Sequence, residues 1–152
     1  MAYLFVVDTT QVDALARKYA GSERVIHDAM VEGMTRTGLA LERAAKAAAP
    51  VKTGTLRRSI TSTVSASARS YIARVGTNVP YAIYVEEGRG PIVAGPGKVL
   101  RFEIGGVVFF RKRVGPARAQ PFMKNALIAN QAAIVREFAE VVPAKIAKAL
   151  AV

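Results

Sequence analysis

The sequence predicts an α+β fold, with an antiparallel β-sheet of about four strands packed against a long helix in the N-terminal half, and a further helix at the C-terminus. Three observations carry that expectation. Apolar and small residues recur every three or four positions between Arg24 and Ala49. The stretch LRFEIGGVVFFRK reads as two strands joined by a Gly-Gly turn. A second helical stripe follows Pro121. At 152 residues, about half of them apolar, the chain suits one domain, 1–152, with a real core.

Residues 1–21 are expected to hold a strand and a helix. Tyr3 to Val7 is β-branched and aromatic, and Asp8 and Thr9 can cap a helix from about Gln11 to Tyr19 that Gly21 ends. The long helix occupies 22–49, with Ser22 as N-cap and Glu23 in its first turn. Its stripe is Ile26, Met30, Gly33, Thr37, Leu41, Ala44 and Ala48. So many small residues let something approach closely, either a sheet of the same chain or a neighbouring subunit. Pro50 stops the helix because it lacks an N–H and restricts Ala49.

The sheet is expected over 55–112. Leu56, Ile60 and Val64 line one face of its first strand, Tyr71 to Val75 forms the second, and ASARS turns between them. Within this region 80–87 reads as a short helix, opened by Pro80 and stopped by Gly88. GRGPIVAGPGK reads as a loop. In the hairpin, a Gly105-Gly106 turn sets Ile104 opposite Val107, Phe102 opposite Phe109 and Leu100 opposite Arg111. The face made by Leu100, Phe102, Ile104, Val107 and Phe109 is expected in the core. The other face carries Arg101 and Glu103 together with Val108 and Phe110, which suits contact with another chain or with a helix. The C-terminal helix, 121–152, has a stripe of Met123, Leu127, Ile134, Phe138 and Val141, and Pro143 is expected to kink or break it.

The composition argues against most chemistry. Cysteine is absent, which removes disulfides and thiolate metal sites. His27 is the only histidine, so a Ser-His-Asp triad has no support. The one adjacent pair of carboxylates is Glu86-Glu87, and neighbours on a short helix diverge, which makes a poor metal clamp. GPGK at 95–98 lacks the flanking Gly and Ser/Thr of a phosphate loop, since Ile92 and Val99 stand there. No catalytic, cofactor or metal residue is assigned, and the chain is read as a non-enzyme. The start, MAYLFVVDTT, has no basic leader, and no segment reaches the ~20 apolar residues of a membrane span.

The net charge of +11 favours nucleic acid, an anionic surface or an acidic protein as partner. The cations cluster at Arg57-Arg58 and over RKRVGPAR, Arg111 to Arg118. Tryptophan is absent and few aromatics interleave with the charge, so contact with DNA is expected at phosphate and independent of sequence.

Three stretches occur in order: APVKTGTLRRSI, then VGTNVPYAIYVEEGRG, then AQPFMKNAL. Together they resemble the tail-completion or neck proteins of long-tailed double-stranded DNA bacteriophages, a family typified by the gene-ten product of HK-type lambdoid siphophages and often labelled a minor tail component. The matching positions are Pro50, Thr53, Gly54, Leu56, Arg57, Ser59 and Ile60, then Tyr81, Ala82, Val85, Glu86 and Gly88, then Pro121, Phe122 and Ala126. The resemblance runs from about Arg24 to Leu127. Glu87, which extends the acidic pair, the Pro- and Gly-rich loop after Gly88 and the YLFVV start depart from the pattern.

The resemblance implies a non-enzymatic virion part at the head–tail junction, assembled in the host cytoplasm and without a membrane. It implies a homo-oligomeric ring, commonly a hexamer, between capsid connector and tail tube. Its partners would be head-closure or connector proteins and tail-tube or tail-terminator proteins, and packaged double-stranded DNA would pass through it. Tail completion and tail termination both remain open. Expected subunit or ring contacts are Thr53, Arg57, Arg58, Glu86, Glu87, Val108 and Phe110, with an arginine at the turn pairing with Glu86 or Glu87 of a neighbour. Arg111, Lys112, Arg113 and Arg118 are expected to face the DNA channel or an acidic partner. Two other readings stand beside this one. One is a basic, sequence-independent DNA-binding accessory protein, the other an assembly factor absent from the finished particle.

Overall fold

A 26-residue helix, α1 (Glu23–Ala48), organises the larger of two compact units, which comprises residues 1–79 and 122–152. The computed structural model describes residues 2–6, 23–67 and 70–150. The helix expected from Gln11 to Tyr19 lies outside them. In chain order the remaining elements of this unit are β1 (Ala2–Val6), a helical turn α2 (Thr55–Ser59), β2 (Ile60–Ala66) and β3 (Tyr71–Thr77). The unit ends with the C-terminal helix; the short α3 (Ala82–Glu86) precedes it in the other unit, so the C-terminal helix is α4 (Phe122–Leu150).

The mixed fold is as the sequence predicts, with antiparallel strands beside a long helix and a helix at the C-terminus. The sheet of this unit has three strands in the order β1-β3-β2. Alternation sorts its sides: Ile60, Ala73 and Val75 are buried while Thr61, Thr63 and Arg74 are exposed. The register sets Ile60 opposite Thr77, Ser62 opposite Val75 and Val64 opposite Ala73.

The small residues of α1 are used within the chain. A Cβ on Gly33 would lie 2.6 Å from Val142 Cγ2 and 3.0 Å from the Phe138 ring, so α4 packs against the bare backbone there. One turn on, a Cβ on Gly38 would sit 3.4 Å from Ser62 Cβ and 3.6 Å from Ala73 Cβ, so the sheet takes the next small position. Ile26, Ala29, Met30, Met34, Ala73, Phe138, Val142 and Ile146 form one buried cluster. The stripe drifts at its C-terminal end. Ala45 and Ala49 are buried rather than Ala44 and Ala48, because 3.6 residues per turn carries the contact line round the helix.

Polar contacts finish the packing. Glu32 pairs with Arg36 on its own helix and with Lys145 of α4. Glu42 Oε2 accepts the backbone N–H of Ser62 at 2.6 Å, while Oε1 takes the Lys46 ammonium at 2.6 Å. Ser62 belongs to an outer strand of the sheet, so this carboxylate satisfies a donor that no strand pairs. His27 Nδ1 lies 3.0 Å from the Tyr71 hydroxyl, a structural role for the lone histidine.

Two expectations are corrected here. Leu56 lies on α2, not on the first strand: Gly54 sits at φ 77°, and the chain makes one helical turn that buries Leu56 before β2 begins at Ile60. Pro143 neither breaks nor ends α4, which runs on to Leu150. Pro143 is exposed and its missing donor removes one backbone bond, while buried Val142 and Ile146 hold the helix on either side.

The second unit, Pro80–Pro121, holds α3, β4 (Ile92–Val93), β5 (Leu100–Ile104), β6 (Val107–Arg111) and β7 (Arg113–Val114). It contains two ribbons, β5-β6 and β4-β7. Part of the GRGPIVAGPGK loop therefore forms a short strand, with Ile92 opposite Val114.

Candidate functional site

Among the described residues, the hairpin carries a concentration of exposed apolar side chains. Its register matches the sequence reading pair by pair: Ile104 faces Val107, Phe102 faces Phe109 and Leu100 faces Arg111. Gly105 and Gly106 have φ of 60° and 81°, values that suit a two-residue turn and that other residues adopt at a cost. Its burial does not match. Ile104 and Val107 are exposed, and Leu100, Phe102 and Phe109 are only half-buried. Among the described residues β5 and β6 pair only with each other, and with Ile104 and Val107 exposed this face is not a closed core. Phe102 and Phe109 stack on each other at 5.9 Å. On the other face Val108 and Phe110 are exposed, Phe110 by 55%.

Other apolar side chains of this unit are open too: Tyr81, Ile83 and Tyr84 around α3, and Ile92, Val93 and Val99 along the loop. None of them was among the contact residues expected from the sequence. Their signal was YAIY on a helix too short to have a protected face.

Two of the family-like stretches meet within this unit. Val85 O accepts the N–H of Gln120 at 2.8 Å, and Arg89 and Ala117 exchange backbone hydrogen bonds at 3.0 and 2.9 Å. Gly88 sits between them at φ 75°, where a Cβ would lie 2.7 Å from Ala117 O. The glycine of VEEG is thus required by the backbone of the strand-like segment that leads to AQPF. Glu86 is buried at 3% exposure, leaving Glu87 as the exposed member of the acidic pair.

The turn after the long helix is held by polar contacts, most of them local. Thr53 Oγ1 lies 3.0 Å from Thr55 Oγ1, Arg58 N donates to Gly54 O at 3.0 Å, and Ser59 Oγ lies 2.6 Å from Thr77 Oγ1. Arg57 Nη2 reaches back to Ala49 O at 3.5 Å, at the carbonyl end of α1 where a cation is favoured. Thr53, Arg57 and Arg58 are exposed.

The four cations expected near a channel are exposed as well. Arg111 sits 5.8 Å over the Phe109 ring and donates from Nη1 to its neighbour's carbonyl, Phe110 O, at 3.0 Å. Lys112 O accepts the N–H of Ala94 at 2.8 Å, which ties β4 to the end of the hairpin. Arg113 lies in β7, and Arg118 follows it. Among the described residues no group of three or more His, Asp or Glu is placed to hold a metal ion. No helix of the described residues is long and apolar enough to cross a membrane.

In the unit Pro80–Pro121, exposed apolar side chains and exposed cations thus lie on and beside one hairpin. The family described as "Bacteriophage HK97-gp10, putative tail-component" matches residues 11–88, just over half of the chain. The chain belongs to that family, and its role is that of a structural component of a phage tail. The match covers both PVKTGTLRRSI and VPYAIYVEEG and stops before AQPF. No curated protein and no solved structure matches the chain.

Proposed function

We propose that this protein forms a ring at the junction between capsid connector and tail tube, as a tail-completion or tail-terminator component. The single observation that carries the reading is the uncovered hairpin. Ile104, Val107, Val108 and Phe110 are exposed on a two-stranded ribbon, in a chain that belongs to a tail-component family. Exposed apolar side chains so concentrated mark an interaction surface. A heterologous ring, in which each subunit offers one patch to the next, closes such surfaces without leaving an end.

Charge supports the same placement. The unit Pro80–Pro121 carries seven Lys and Arg against Glu86, Glu87 and Glu103, and Glu86 is buried. Arg111, Lys112, Arg113 and Arg118 then face packaged DNA through its phosphates, or an acidic ring above or below. Arg57 and Arg58 meet Glu87 of a neighbouring subunit.

Gold labelling of the chain in purified particles tests the location. Label at the neck is expected, and label at the tail tip or the capsid vertices contradicts it. A head-to-tail joining assay tests the cations: with all four changed to Ser, joining at physiological salt should slow, and wild-type joining would remove them from the mechanism.

A further inference from the structure

We infer that the outer edge of β5 is a two-fold docking edge for a second copy of this chain, built by Arg101 and Glu103. A two-residue turn makes Ile104 and Val107 exchange backbone hydrogen bonds, and alternation along the ladder does the same for Phe102 with Phe109 and Leu100 with Arg111. The N–H and C=O groups of Arg101 and Glu103 therefore point away from β6. Among the described residues no strand other than β6 pairs with β5, and both side chains are exposed with no hydrogen bond or ion pair.

The two charges make this edge complementary to itself. When a second β5 is laid antiparallel about Phe102, Arg101 falls opposite the second copy's Glu103 and Glu103 opposite its Arg101. Both are hydrogen-bonded pairs, so four backbone bonds and two cross-strand ion pairs form together. Phe102 meets its own symmetry mate in the closer, non-hydrogen-bonded position. The Phe102–Phe109 stack then continues as four rings along one face of a four-stranded sheet. A register slip of one residue would break both ion pairs, which fixes the alignment.

The other edge is less suited. Val107 to Phe110 bear no charge to set a register, and the strand runs on into β7, which β4 already pairs. Because the contact is two-fold, it stands apart from the rotational contacts of a ring, and its failure leaves the ring reading untouched.

Sedimentation equilibrium of the full chain in moderate salt tests it with two variants, Arg101→Glu and Glu103→Arg. Circular dichroism checks that each folds, as expected for exposed side chains without a partner. The wild type should dimerise. Each variant should dissociate about tenfold or more readily, because like charges now face each other twice. An equimolar mixture of the two should associate as the wild type does, since the Glu-Glu edge of one matches the Arg-Arg edge of the other. A monomeric wild type, single variants as dimeric as the wild type, or a mixture that stays apart would each overturn the inference.

Discussion

The two units of this chain solve the problem of apolar surface in opposite ways. In the larger, Gly33 and Gly38 bring α4 and the sheet against one helix, and Met30, Met34, Ile60 and Ile134 vanish from solvent. In Pro80–Pro121 the apolar side chains are as bulky, yet Phe110, Val107 and Tyr84 stand open. Composition does not separate the two regions; a second layer does. A helix between two partners closes a core, whereas a two-stranded ribbon leaves both its faces to whatever docks on it.

The sharpest break between them is a pair of phenylalanines. Phe138→Ala should cost about 3–5 kcal/mol in a denaturant melt, because it empties a buried site against Gly33. Phe110→Ala should change the stability of the isolated chain by no more than about 0.5 kcal/mol and weaken assembly instead. Equal costs in the isolated chain would mean that the hairpin is core after all.

Glu42 gives the next largest effect. Partial burial pushes its pKa up, but hydrogen bonds from Lys46 and Ser62 outweigh it and hold the carboxyl below its ordinary range. A depressed folded pKa contributes stability that is present at neutral pH and is lost as pH falls through that pKa. Wild-type stability should therefore fall below pH 4.5, and Glu42→Gln should flatten that part of the curve. Glu42→Ala should cost about 1–3 kcal/mol at pH 7 by leaving the Ser62 N–H without its acceptor. An unchanged acid limb in Glu42→Gln would remove this contact from the account.

The smallest effect is expected at Thr37, whose Oγ1 is buried with no hydrogen-bond partner among the described residues. Thr37→Val keeps the shape and removes an unsatisfied hydroxyl, so stability should stay level or rise by about 1 kcal/mol. A loss of that size in thermal melts would show that the hydroxyl has a partner.

What the sequence revealed of these regions follows from how far each feature reaches along the chain. The hairpin register was legible pair by pair because a Gly-Gly turn and alternation are local. Its burial was not, since alternation shows that Phe102 and Phe109 share a face and says nothing of what covers it. Leu56 looked like a strand residue because its spacing to Ile60 also fits alternation, and only the left-handed Gly54 distinguishes the helical turn. Pro143 was expected to break α4 from a local rule that buried Val142 and Ile146 override. The bond from Ser62 N–H to Glu42 left no trace in the pattern, because the two are twenty residues apart. In the candidate site, the exposure of Arg57, Arg58 and the Arg111–Arg118 cations was legible from charge, while the burial of Glu86 beside exposed Glu87 was not.

The central claim is that the open ribbon is covered in the assembled particle. Because the chain has no cysteine, Val108→Cys places a single thiol on the exposed face of β6. Its rate of labelling by a maleimide can be compared in the isolated protein and in intact particles carrying the variant. Fast labelling in isolation and strong protection in the particle are the result this account predicts. Labelling as fast in the particle as in isolation would contradict it.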